Sequence, residues 1–105
     1  TEKVKGLVGQ YVYSCEDEEL AQVVGKKLIE RNITISACES CTGGMFAAKL
    51  TGVPGISAVF DRSLVTYTYG AKMDELSVKE ETLSAYTAES RQVALEMVRG
   101  LKQKT

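Results

Sequence analysis

Apolar and polar positions along the chain change period several times, and each change marks an element. Leu20, Val23, Val24 and Leu28 recur at helical spacing, with Glu18 and Glu19 in the first turn and Ser14 or Asp17 in place to cap it. Asn32 is expected to end this helix. The next run, Ile33-Thr34-Ile35-Ser36-Ala37-Cys38, is short and rich in β-branched residues and predicts a strand. A second helix should begin near Thr42. Thr51-Gly52-Val53-Pro54-Gly55 is turn punctuation, and Leu64-Val65-Thr66-Tyr67-Thr68-Tyr69 predicts the second strand. A short helix around Ala71 to Leu76 follows. Ser90 is placed to cap the last helix, in which Val93, Ala94, Met97, Val98 and Leu101 form an apolar stripe.

This order predicts an α/β domain, layered α/β/α around a mainly parallel sheet. Two strands are few against a usual sheet of about five, so the sheet reads as incomplete. Its open edges would be covered by more of the domain or by another copy, and a homo-oligomer is expected. Residues 1–16 lack a sustained period and read as a linker or N-terminal arm, and residues 17–105 carry the domain.

Composition narrows the chemistry. With 105 residues, 44% hydrophobic and 26% charged, the chain suits one folded unit around one core. A net charge of −1 with no basic block argues against nucleic acid as a partner. The longest apolar run, Met45 to Ala48, is far short of the ~18 residues of a membrane span, and no signal-peptide pattern opens the chain. A cytoplasmic protein without membrane contact is expected. The absence of histidine removes the Ser-His-Asp triad, the Cys-His dyad and every His-ligated metal site within the chain, leaving Lys, Tyr, Cys or a carboxylate as base. Cys15, Cys38 and Cys41, an odd number with no secretory context, read as reduced thiols. No metal and no cofactor are expected.

The informative stretch is Cys38-Glu39-Ser40-Cys41-Thr42-Gly43-Gly44, where a strand gives way to a helix. Such a junction points backbone N–H groups and the positive end of a helix at whatever binds there. Gly43 and Gly44 would each cost about 1 kcal/mol inside a helix relative to Ala, and they suit a close approach of ligand or backbone. A plain Ser or Thr cap before a glycine turn has the same pattern. Cys38 and Cys41 also form a C-x-x-C, the spacing of thiol redox sites. Cys38 equally suits a small buried residue closing the strand. Lys72 stands just beyond the second strand, at the end where parallel α/β sheets bind ligands. Desolvated there, it would take the proton of a serine hydroxyl; on a solvated helix face it would do no chemistry. Arg62, beside Asp61, is placed to hold a phosphate or to make a surface ion pair.

Four stretches carry a resemblance: Ala37 to Gly44, Thr51 to Arg62, Val65-Thr66-Tyr67 and Ala71-Lys72. In order and spacing they resemble the C-terminal domain of the CinA, or competence/damage-inducible, family over roughly residues 17 to 101. The resemblance implies a nicotinamide-nucleotide amidase of the PncC type. Such an enzyme hydrolyses the carboxamide of a small nucleotide, nicotinamide mononucleotide, to nicotinic acid mononucleotide and ammonia. It implies Ser40 as nucleophile and Lys72 as base, with Tyr67 supporting or relaying protons near Lys72. Backbone N–H groups in the Thr42-Gly43-Gly44 turn would hold the oxyanion, and Thr42 and Arg62 would touch substrate. The opening Leu7-Val8-Gly9-Gln10-Tyr11-Val12-Tyr13 resembles the linker that follows a molybdopterin-binding-like N-terminal domain in two-domain members. The family domain also continues beyond the counterpart of Thr105, so the chain is expected to be a fragment of a longer bacterial protein. It departs from the family pattern at Tyr69 and Gly70, where Asn and Glu are usual, and near Thr87, where a Gly is usual. A catalytically silent binding or assembly module is the alternative to an amidase.

Overall fold

The computed structural model describes residues 19–105; the arm at 1–16, the expected caps Ser14 and Asp17, and Cys15 lie outside the described residues. Helix α1 (Leu20–Arg31) has no side-chain cap at Glu19 and ends where Asn32 takes φ 52°, returning its N–H to the carbonyls of Leu28 and Ile29. Asn tolerates that left-handed conformation better than most residues, which is why the helix stops there. Strand β1 (Ile35–Glu39) runs one residue past the predicted strand and takes in Glu39. Helix α2 (Met45–Thr51) starts later than Thr42, because Gly43 and Gly44 take φ 59° and 103° and make residues 40–44 a turn.

After a short 3-10 turn at Ile56–Ala58, strand β2 spans Phe60–Val65, beginning four residues earlier than the Leu64 to Tyr69 pattern predicts. The strand stops early because its last would-be residues have other partners. Thr66 N–H still reaches the Glu39 carbonyl at 2.9 Å. The carbonyls of Thr66 and Tyr67 turn inward to Lys72, and the Thr68 hydroxyl accepts the Ala71 N–H at 3.1 Å as the cap of α3 (Tyr69–Leu76). Helix α4 (Glu80–Tyr86) is not expected from the sequence pattern; it is seven residues long, and its acidic first turn, Glu80 and Glu81, is the one local sign of it. Helix α5 (Arg91–Lys104) is capped as predicted, with Val93 N–H donating to Ser90 Oγ at 3.2 Å.

β1 and β2 pair in parallel as a two-stranded sheet, with an irregular step between Ile35 and Ser36, Cys38 opposite Leu64 and Glu39 opposite Val65. Cys38 and Leu64 pack against the main core of Leu76, Leu83, Val93, Met97 and Leu101, contributed by α3, α4 and α5. A second cluster, Val53, Ile56 and Val59 with Leu28, Ile29 and Phe60, ties α1 to the start of β2. The result is the layered α/β arrangement that the order of elements predicts. Of the α5 stripe, Val93, Met97 and Leu101 are buried, whereas Ala94 and Val98 are exposed. Helices α3 and α5 meet backbone to backbone: a Cβ on Gly100 would lie 1.9 Å from the Leu76 carbonyl oxygen, so this crossing admits only glycine. No helix among the described residues is long and apolar enough to cross a membrane.

Candidate active site

Parallel strands end side by side, so the residues just beyond them share one edge of the sheet. Ser40 follows β1, Thr66 and Tyr67 follow β2, and α3 carries Lys72 back between them. The lysine is 1% exposed. Its Nζ donates to Ser40 Oγ at 2.9 Å, to the Thr66 carbonyl at 2.7 Å and to the Tyr67 carbonyl at 3.1 Å. Among the described residues it forms no ion pair. A neutral amine in this position keeps both N–H groups on the carbonyls and turns its lone pair to the Ser40 hydroxyl, ready to accept that proton.

Glu39, which the sequence pattern does not single out, organises the turn. Its side chain is buried. Oε1 accepts from Thr42 Oγ1 at 2.7 Å and from Phe46 N–H at 2.9 Å; Oε2 accepts from Ala47 N–H at 3.2 Å and Ser63 Oγ at 3.3 Å. Burial pushes the carboxyl up, but those four donors together outweigh it and hold the group below its ordinary value. Gly44 precedes α2 without a side chain to cap it, so Glu39 supplies the cap from the neighbouring strand. The start of α2, expected to face a ligand, is therefore occupied by the protein's own carboxylate. Inside the turn, Gly43 N–H donates to the Ser40 carbonyl and Met45 N–H to the Thr42 carbonyl, both at 3.0 Å. The amides of Cys41, Thr42 and Gly44 have no acceptor among the described residues. They, rather than Gly43, remain for a developing oxyanion.

The other predicted residues divide. Tyr67 holds Lys72 through its carbonyl while the residue as a whole is 68% exposed. The Thr42 hydroxyl is committed to Glu39. Arg62 is not brought to the turn: the register sets it opposite Ser36, toward the start of β1, and its Nε pairs with Asp61 at 2.6 Å. The Thr66 hydroxyl is buried without a partner among the described residues. Cys38 and Cys41 are free thiols; burial pushes Cys38 up, opposite to the depressed thiol that a redox C-x-x-C needs. A groove of about 400 Å³ runs along the side of β1 away from β2, walled by Phe46 of α2 and Val98 of α5. The sign that points to Glu39 is a carboxylate one residue before the turn together with a helix start that has only glycine to cap it.

Comparison with known proteins shows the family. A profile of the CinA C-terminal domain matches residues 17–105. A protein of Acetivibrio thermocellus with the provisional name competence-damage inducible protein is 54% identical over 100 residues, 95% of this chain. A similarly named protein of Clostridium botulinum (strain Loch Maree / Type A3) is 46% identical over 99 residues, 94% of this chain. The chain spans 24% of the length of each. Among solved structures, the competence/damage inducible protein CihA from Agrobacterium tumefaciens matches at TM-score 0.77 and 45% identity, over 81% of this chain and 52% of that one. A competence-damaged protein (CinA) superfamily protein from Escherichia coli matches at TM-score 0.79 and 30% identity, over 94% and 60%. With the profile covering the whole described domain, and the Glu-Ser-Cys-Thr-Gly-Gly turn set against Lys72, the chain belongs to the CinA C-terminal domain family.

Proposed function

We propose that this domain is an amidohydrolase in which Ser40 is the nucleophile and Lys72 its base, acting on the carboxamide of a nicotinamide nucleotide such as nicotinamide mononucleotide. The observation that carries the reading is the 2.9 Å bond between Lys72 Nζ and Ser40 Oγ, with the remaining N–H groups on two main-chain carbonyls. Neutral Lys72 takes the Ser40 proton as Oγ bonds to the carboxamide carbon, and the oxyanion so formed lies against the free turn amides. Lys72 returns the proton to the nitrogen as the C–N bond breaks, releasing ammonia and leaving an ester on Ser40. Water adds to the ester while giving a proton to Lys72. Collapse of the second tetrahedral species breaks the ester, frees the carboxylic acid and restores the Ser40 hydroxyl. Tyr67 contributes its carbonyl, and Arg62 has no part in this route within one chain. The sequence reading adds a cytoplasmic setting and self-association through the open sheet edges, and the resemblance adds a molybdopterin-binding-like N-terminal domain in the full-length protein.

Ammonia release from nicotinamide mononucleotide by the natural full-length chain tests the reading. Ser40→Ala is expected to remove turnover. Lys72→Arg should lower kcat by about 10²- to 10⁴-fold, since a guanidinium stays protonated. Cys38→Ser and Cys41→Ser should retain appreciable turnover. An active Ser40→Ala variant would rule out the nucleophile, and a need for both thiols would favour redox chemistry. The groove beside β1 favours one second reading, a binding or assembly module. It predicts a native protein that engages ligand or partner and releases no ammonia.

A further inference from the structure

We infer that Glu39 is a positioning residue for the Ser40–Lys72 pair, and that only a carboxylate can fill the place. The inference rests on the Ser-Lys reading and adds the group that sets its geometry. Glu39 bonds neither to Ser40 Oγ nor to Lys72 Nζ, so it is not the base. Instead it joins the two halves of the pair. Its main-chain carbonyl takes the N–H of Thr66, whose own carbonyl takes Lys72. Its side chain takes Thr42 from the turn that carries Ser40, Phe46 and Ala47 from the start of α2, and Ser63 from β2. The turn has little else to hold it, since Gly43 and Gly44 sit at positive φ and its internal bonds are two main-chain contacts.

The donor set explains why the group must be charged. All four partners give hydrogen bonds. Two are hydroxyls that can rotate and accept instead; the other two, Phe46 N–H on Oε1 and Ala47 N–H on Oε2, cannot. A glutamine has one oxygen. Whichever way its amide turns, the NH₂ group, which has no lone pair to offer, faces one of those fixed N–H groups. The near-isosteric Glu39→Gln substitution must therefore shift the turn, and with it Ser40 Oγ, away from Lys72.

The test uses the full-length protein and a fluorophosphonate probe, which reports Ser40 nucleophilicity without reference to the natural substrate, alongside nicotinamide mononucleotide kinetics. Native protein should be labelled at Ser40. Glu39→Gln should be labelled at least tenfold more slowly and lose kcat by a similar factor, with KM within about twofold. Leu83→Ala, a core variant away from the turn, separates positioning from general loosening: at equal distance below its own melting temperature it should label normally. Native-like labelling of folded Glu39→Gln, or a loss in Leu83→Ala as large as in Glu39→Gln, overturns the role of Glu39. Native protein that is labelled but releases no ammonia overturns the proposed substrate and leaves the Glu39 result standing. Native protein that takes up no probe at Ser40 overturns both.

Discussion

Helices α2 and α4 are each seven residues long, and neither begins with a side-chain cap of its own. A glutamate from another element secures each start, yet the two corners differ. At α4, half-buried Glu96 accepts the Lys79 N–H at 2.8 Å. That bond holds its carboxyl below its ordinary value, aided by the Thr82 hydroxyl and the charges of Lys79 and Arg99. Water and charge are both at hand to replace what Glu96 gives. At α2, Glu39 is 5% exposed, and four hydrogen bonds hold its carboxyl down against burial. The four donors have no other acceptor among the described residues. The same device thus steadies a helix in one corner and, in the other, also holds the turn that carries the candidate nucleophile.

The strongest way to break the contrast is through α5, which carries both Glu96 and Gly100. Gly100→Ala would push a methyl into the Leu76 carbonyl and force α3, with Lys72, away from α5. A loss of about 3 kcal/mol is expected in urea unfolding. If Lys72 keeps its bond to Ser40 in that variant, the two corners are independent. Removing each carboxylate sharpens the contrast next. Glu39→Ala strands two fixed N–H groups and should cost about 3 kcal/mol, against about 1 kcal/mol for Glu96→Ala, whose partners face water.

Acid gives a third measure. Both carboxyls titrate lower in the folded chain than their ordinary values. Their stabilisation is therefore complete above about pH 4.3, the unfolded glutamate value, and is lost as pH falls through the folded values. Melting temperatures should fall between neutrality and acid, and less steeply in Glu39→Gln and in Glu96→Gln than in the native chain. An acid limb unchanged by either substitution would remove that carboxylate from the acid sensitivity. The smallest effect is expected at Thr87, which ends α4 at φ 67° and ψ 165°, a conformation close to a glycine preserve. Thr87→Gly should stabilise by about 1 kcal/mol in thermal unfolding without touching the turn.

Features decided by a residue's own side chain are legible in the sequence. Asn32 and Ser90 end and begin helices for such local reasons, and the Ser40 turn and Lys72 stand out by type and spacing. Features decided by contacts distant in sequence are not. Thr66 and Tyr67 look like strand residues, but a buried lysine claims their carbonyls. Arg62 has the look of an anion contact, yet the register sets it toward the start of β1. Helix α4 has too little apolar period to announce itself and exists because Leu83 enters the core. Glu39 does not read as a cap, because the helix it caps begins after an intervening turn.

Ser40 and Lys72 lie 32 residues apart in sequence, and their contact depends on a parallel strand pair that closes only when the whole crossover is in place. Contacts of that range form late in folding. While the chain is being made, or after partial unfolding, Ser40 is therefore an ordinary alcohol surrounded by water. Its reactivity would arrive with the last long-range step rather than grow by degrees. During refolding, probe uptake should follow the slowest phase, so the chemistry itself reports the completed fold.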